Sequence, residues 1–265
     1  MKENNSFISY ENDKHGVILN EENHDKYPLV YKNVTYTYHV NDDNVSSFIY
    51  VYQGSYQLLS VDRPNYILAD GMYASVKGKI TLAINEENSK AIVIEVKHTK
   101  GEYVKTKFSS YFTLGGKVEE KGRLKYIDGC TDSLLIAPVK LGDPCLNHLH
   151  FPTKIDQTQH THPSHRIGIV ARGYGECITP FGNLPLTKGM IFVIKEWDGK
   201  TYAKGLDGND YPIGQHAFKT TDSTMDVIAF HPDSDFGATD EEHPMINRTM
   251  VDGKSAKYID EIRTK

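Results

Sequence analysis

Apolar and polar residues alternate along this chain in short runs rather than in helical steps. "SSFIYVYQGSYQLLSV", "GKITLAI", "KAIVIEVKHT" and "YVKTKFSSYFTL" are rich in β-branched and aromatic side chains, with Gly, Asn, Asp and Pro between them. That is the pattern of strands joined by turns. It returns after residue 140 in "LNHLHFP", "HRIGIVARG", "GMIFVIKEW", "GQHAFKTT" and "TMDVIAFHP". No long window repeats its apolar positions every 3.6 residues, and only "SAKYIDEIRTK" predicts a short terminal helix. Many short strands at even spacing predict an all-β sandwich or barrel fold.

The two halves share an outline. Each has strands, a turn with Gly, and an apolar strand behind a Gly-Met pair ("ILADGMYASVKG"; "PLTKGMIFVIKEW"). This suggests an internal duplication, linked by the Gly-rich and charged "GGKVEEKGRLKYIDGCTDSLLIAP". The expected organisation is one barrel over 26–135, a second over 136–235, and a polar tail over 236–265 that packs on them.

Composition narrows the context. The 265 residues carry a net charge of −5 with acids and bases interspersed, and three widely spaced cysteines, Cys130, Cys145 and Cys177. A chain of this length buries about 70–75% of its unfolded surface without staples. The cysteines form no CxxC pair and no even framework, which suits a reducing compartment. The polar N-terminus has no apolar h-region, and stretches such as "SLLIAPV" are too short to span a bilayer. A cytoplasmic protein with no membrane and no nucleic-acid partner is expected, since neither a basic footprint nor a helix-turn-helix is readable.

Histidine is concentrated in the second half. Of the twelve, only His15, His24, His39 and His98 precede residue 140. His160 and His162, at i and i+2 on an extended segment, project to one face and can clamp one ion. His216, opening the strand "HAFKTT", is the best candidate for a third ligand.

Together these residues resemble the cupin family. In "HTHPSHRIGIVARG", His160 and His162 match its HxH, Arg166 stands where a glutamate is expected, and Gly173 follows seven residues on. "YPIGQHAF" supplies Pro212, Gly214 and His216, one residue shorter than the second family motif. Lys154 and Thr220 replace the family's leading Gly and trailing Asn. The likeness covers roughly residues 140–235 well and 45–115 in outline. It implies two double-stranded β-helix (jelly-roll) barrels, with one divalent transition metal at His160, His162 and His216. Fe(II) comes first, and Mn, Ni, Zn and Cu are alternatives.

Arg166 cannot ligate a metal and stays charged. By parity it shares a face with the two histidines, where it can grip an anionic substrate or pair with an internal carboxylate; Asp156 and Glu176 are close in sequence. Cupin thiol dioxygenases are similar, with three histidines and an arginine for the substrate carboxylate. His150 and His231 are candidate acid–base residues, and Tyr174 a second substrate contact. His148 shares a face with His150, while His165 is out of phase with the pair. The resulting expectation is a metal-dependent enzyme, a homodimer, acting on a small anionic molecule, with an oxygenase first. A lyase or isomerase on a sugar acid and a non-enzymatic small-molecule binder are the alternatives.

Overall fold

The computed structural model describes residues 1–105, 108, 112–234 and 249–262. It contains two compact units, Met1–Ser234 and Asp235–Lys265. The first is almost entirely β, as the alternating pattern requires, and is built from two sheet assemblies. One pairs a six-stranded sheet, in the order Thr113–Gly115, Tyr73–Lys77, Val45–Gln53, Lys90–Lys97, Leu29–Val34 and Gly16–Glu21, with a four-stranded sheet. The latter runs Tyr38–Val40, Ile80–Ile84, Ser55–Ser60 and Arg63–Ala69. Val34, Val45, Ile49 and Val93 from one meet Tyr56, Leu58, Leu68 and Leu82 from the other in a dry core.

The other assembly is a ten-stranded sheet. Its path runs Lys2–Glu3, Phe7–Tyr10, Ile191–Ile194, Arg166–Ile178, Met225–His231, Cys145–Phe151, Thr131–Ile136 and Leu124–Lys125. Leu184–Thr187 and Ala217–Lys219 pair with the far end of Arg166–Ile178. That 13-residue strand serves both layers. It bends at an irregularity between Val170 and Arg172 and continues through the Gly-Tyr-Gly segment where the sequence suggests a turn. Gly173 sits there at φ 68°, and a Cβ would lie 1.9 Å from the Thr224 carbonyl oxygen, so only glycine fits the bend.

The two large sheets also pack face to face. Leu29, Tyr31, Phe48 and Ile94 meet Leu146, Ile167, Ile228 and Phe230, and the Phe48 and Phe230 rings stand edge-on at 5.0 Å. Central strands are therefore covered on both sides. This is why Val45–Gln53, buried at eight of nine positions, carries the unbroken apolar run Phe48–Tyr52 rather than a strict alternation.

Sheet membership differs from position in the chain. Residues 2–10 add to the sheet of the C-terminal half, as do Leu124–Lys125 and Thr131–Ile136. Where "YVKTKFSSYFTL" predicts one strand, a short helix, Gly101–Lys105, comes first, and among the described residues of the segment the strand is confined to Thr113–Gly115. Tyr103 is buried and its hydroxyl donates to the Pro232 carbonyl at 2.7 Å, a tertiary contact that overrides local β preference.

In the second unit, Met250–Val251 and Lys254–Ser255 form a small hairpin. The expected terminal helix is replaced by two 3-10 turns, Ala256–Tyr258 and Asp260–Ile262, separated by extended Ile259. Most of the tail expected to pack on the barrels, His243 included, lies outside the described residues. Among the described residues, no helix is long and apolar enough to cross a membrane.

Candidate metal centre

His160 and His216 lie directly opposite each other in an isolated antiparallel bridge. Each backbone N–H donates to the other's carbonyl, at 2.9 and 3.0 Å. His162 follows two residues on, and its carbonyl accepts from the Trp197 N–H at 2.8 Å. Gly214, at φ 74° and with the Lys195 carbonyl oxygen 2.1 Å from where a Cβ would be, makes the tight approach that delivers His216. The ring centroids are 4.5 Å apart for His160–His216, 4.9 Å for His160–His162 and 5.2 Å for His162–His216. One nitrogen from each ring lies within 4.8 Å of the others.

The proton positions follow from the partners. Nδ1 of His160 is 2.8 Å from the Thr158 carbonyl, and Nδ1 of His216 is 2.9 Å from the Gly214 carbonyl. A carbonyl only accepts, so both Nδ1 atoms carry hydrogen and both Nε2 atoms keep a lone pair, the arrangement of metal-ligating imidazoles. Burial, then His160, pushes the His216 pKa down to about 3. Burial, then Arg166, holds His162 far below the ordinary imidazole range. Both rings are therefore neutral at pH 7, as ligation requires.

The three rings border a partly open cavity of about 30 Å³. Leu149, Phe151, Ile167, Phe192, Phe218 and Val227 supply its apolar wall, and Arg166 and His231 also face it. Three imidazoles with no carboxylate among them, beside an apolar wall, fit a borderline first-row divalent ion rather than Mg or Ca.

No protein-family model matches the sequence. No curated protein matches it either. Solved structures do. Protein Ylba from E. coli is 12% identical over 88% of this chain and 94% of its own, with a TM-score of 0.60. The Cupin 2 conserved barrel domain protein from Leptotrichia buccalis is 12% identical over 87% and 90%, at 0.52. Salicylate 1,2-dioxygenase from Pseudaminobacter salicylatoxidans is 8% identical over 77% and 70%, at 0.51. The chain has the cupin fold.

Within this fold, Arg166 occupies the inward position expected from parity, but it is not alone. Its Nη1 donates to Asp233 Oδ1 at 3.1 Å, to the Ser164 carbonyl at 3.3 Å and to the Ser164 hydroxyl, which itself donates to Asp233. The counter-charge is thus Asp233, from just beyond the last strand, and not Asp156, which pairs with Lys219 at 3.2 Å. The Arg166 Nε is buried and has no hydrogen-bond partner among the described residues. The side chain as a whole borders the cavity. His231 borders the same cavity and is half-buried. Desolvation, then Arg166, keeps it neutral.

Two other candidates lie elsewhere. Leu149 and Phe151 point into the cavity, so His148 and His150, of opposite parity, face the neighbouring sheet, where both meet Asp226. His150 is therefore not an acid–base group of this cavity. Tyr174 is 45% exposed and donates its hydroxyl to Asp222 at 2.8 Å; it does not line the cavity. His165 stands apart from the triad as its phase suggests, accepting the Glu196 N–H at Nδ1. Asp233 is not evident from sequence because it is 67 residues from its partner. Its one local signal is the polar stretch closing "TMDVIAFHPDSD".

Proposed function

We propose that this cupin is a metal-dependent enzyme of the cytoplasm. It holds one divalent transition metal, Fe(II) first, at His160, His162 and His216, and acts as an oxygenase on a compact anionic molecule. The observation that carries this reading is the convergence of three imidazoles, two with bare Nε2 atoms, on a cavity that Arg166 also lines. The bound ion supplies Lewis acidity and, if redox-active, one-electron chemistry.

The chain's own residues do the rest. Arg166, on the cavity wall, can orient an anion, while Asp233 balances its charge. The apolar walls exclude water. His231, neutral, can take up a proton at a ring nitrogen. The small volume favours a compact substrate, or the reacting end of one, over a whole aromatic ring. The structural likeness to salicylate 1,2-dioxygenase supports ranking oxygen chemistry first. His231 supports a second reading, a lyase or isomerase, in which proton transfer replaces oxidation.

The test is anaerobic loading with Fe(II), followed by O₂ uptake across short-chain carboxylates. Uptake that needs both iron and carboxylate, and is lost in His216→Ala, supports the oxygenase. Turnover of a carboxylate without O₂ moves the protein to the second reading. Wild-type protein that takes up no metal at these histidines removes both.

A further inference from the structure

On the opposite face of the same sheet lies a second constellation that the proposed chemistry does not use. His148 and His150 are at i and i+2 on Cys145–Phe151, and Asp226 comes from the adjacent strand, directly opposite His150. Asp226 Oδ1 is 2.7 Å from His148 Nε2 and 2.9 Å from His150 Nδ1. One ligand atom from each residue lies within 4.8 Å of the others. The side chains of His148, His150 and Asp226 are 0%, 12% and 4% exposed. The construction repeats that of the first centre: two alternate histidines on one segment and a third group from its neighbour.

We propose that His148, His150 and Asp226 form a second metal site, for a divalent first-row cation such as Zn(II) or Co(II). Two imidazoles and one carboxylate are a set that such ions accept. Arg172 Nε donates to Asp226 Oδ2 at 3.2 Å, holding the carboxylate so that Oδ1 faces both rings, the orienting role that groups behind a metal ligand perform.

Proton bookkeeping permits ligation. His148 now donates from Nε2, and its buried Nδ1 has no partner among the described residues. With its hydrogen on Nδ1 instead, the His148 ring turns Nε2 to an ion. His150 can do the same toward its other nitrogen. The Arg172 side chain beside Asp226 is 40% exposed, and His150 is 12% exposed. An ion here would tie the two central strands together beneath the packed neighbouring sheet, a structural role independent of the first centre.

Cobalt(II) alone is the probe. Chelator-stripped full-length protein is dialysed against it, and bound metal is measured by elemental analysis and visible absorption. About two ions per chain are expected in the wild type, about one in the folded His160→Ala/His216→Ala variant, and none when Asp226→Asn is added. If the variant lacking both first-centre histidines binds no cobalt, the second site is overturned and the cluster is a hydrogen-bonded network only. The site is equally overturned if the cobalt of that variant survives both Asp226→Asn and His150→Ala. Should Asp226→Asn fail to fold, ¹⁵N-histidine spectra of wild-type protein with Zn(II) decide. Shifts of the His148 and His150 ring nitrogens support the site, and their absence overturns it. Loss of the first centre alone would leave this signal intact, so the two readings fail separately.

Discussion

In the N-terminal sheets, inward-facing polar groups include Lys32, Glu95, Tyr38 and Ser47; in the C-terminal assembly they include His160, His162, His216, Arg166 and His231. Lys32 and Glu95 follow the alternation of the core residues Val34 and Val93, and Ser47 registers opposite Glu95. Lys32 Nζ is 2.8 Å from Glu95 Oε1, and the Tyr38 hydroxyl joins both. Burial, then Glu95, pushes the Tyr38 pKa far above its ordinary value, so it stays a donor. A lysine offers no lone pair when charged, and Lys32, Glu95 and Tyr38 satisfy one another, while the buried Ser47 hydroxyl has no partner among the described residues. The histidines do the reverse. Two of them give their Nδ1 protons to backbone carbonyls and turn lone pairs inward. Similar sheets thus close one interior with an ion pair and leave the other with unfilled acceptors, which can recruit an ion without first giving up a partner.

The largest break in this comparison comes from the ligands. Replacing His160 or His216 by Ala should abolish metal at that centre, with a loss of affinity exceeding the roughly 10–100-fold typical of losing a supporting partner. Glu95→Ala should leave metal content unchanged. Elemental analysis of the three proteins decides; a metal deficit in Glu95→Ala would mean that the two interiors are coupled.

Glu95→Ala should act on stability instead. It leaves Lys32 uncompensated in a largely buried site, which costs about 3–5 kcal/mol, whereas Lys32→Met/Glu95→Leu should recover most of that loss. Urea denaturation of both variants checks this. Equal destabilisation would show that shape, not charge, matters there.

Acid should separate the interiors by a smaller amount. The His216 pKa is held near 3 in the folded chain, against about 6.5 for a free imidazole. Below about 6.5 the unfolded chain binds a proton that the folded chain refuses, so unfolding is favoured. The stabilisation from keeping His216 neutral is complete above that pH and is lost as pH falls toward 3. Metal that binds only the folded ligands adds stability and makes its loss in acid steeper. Melting curves of stripped and loaded protein between pH 7 and 4 should diverge most at pH 7; constant separation would count against histidine ligation.

Much of this centre was legible because its logic is local. The i, i+2 parity aligns His160 with His162, and Gly173 and Gly214 mark backbone approaches that a side chain would block. What stayed hidden depends on which face of a strand turns inward. Parity pairs His148 with His150 but does not say which side they take; Leu149 and Phe151 claim the cavity, and the histidines face the other sheet. "KAIVIEVK" reads as an apolar strand, so Glu95 passes as a terminal polar residue although it is 6% exposed. Residues 2–10 alternate plausibly, but nothing local tells them to pair with Ile191–Ile194.

Arg166 is where the smallest effect on the fold should accompany a specific effect on binding. Its Nη1 serves Asp233 while the side chain also borders the cavity, so the two roles can be separated. Arg166→Lys keeps the charge and can still reach a carboxylate, but loses the fork. Arg166→Gln loses both and leaves Asp233 unbalanced. Metal content should persist in each. Affinity for acetate, read from the visible spectrum of the cobalt form, should fall in the order wild type, Lys, Gln, by a total of about 1.5–3 kcal/mol, the scale of a charge-assisted hydrogen bond. Arg166→Gln/Asp233→Asn then discriminates. Removing the orphaned carboxylate should restore stability, but acetate affinity should stay low, because no guanidinium remains to hold the anion. If the double variant regains both stability and affinity, Arg166 acts only by neutralising Asp233, and the anionic-substrate reading loses its main support.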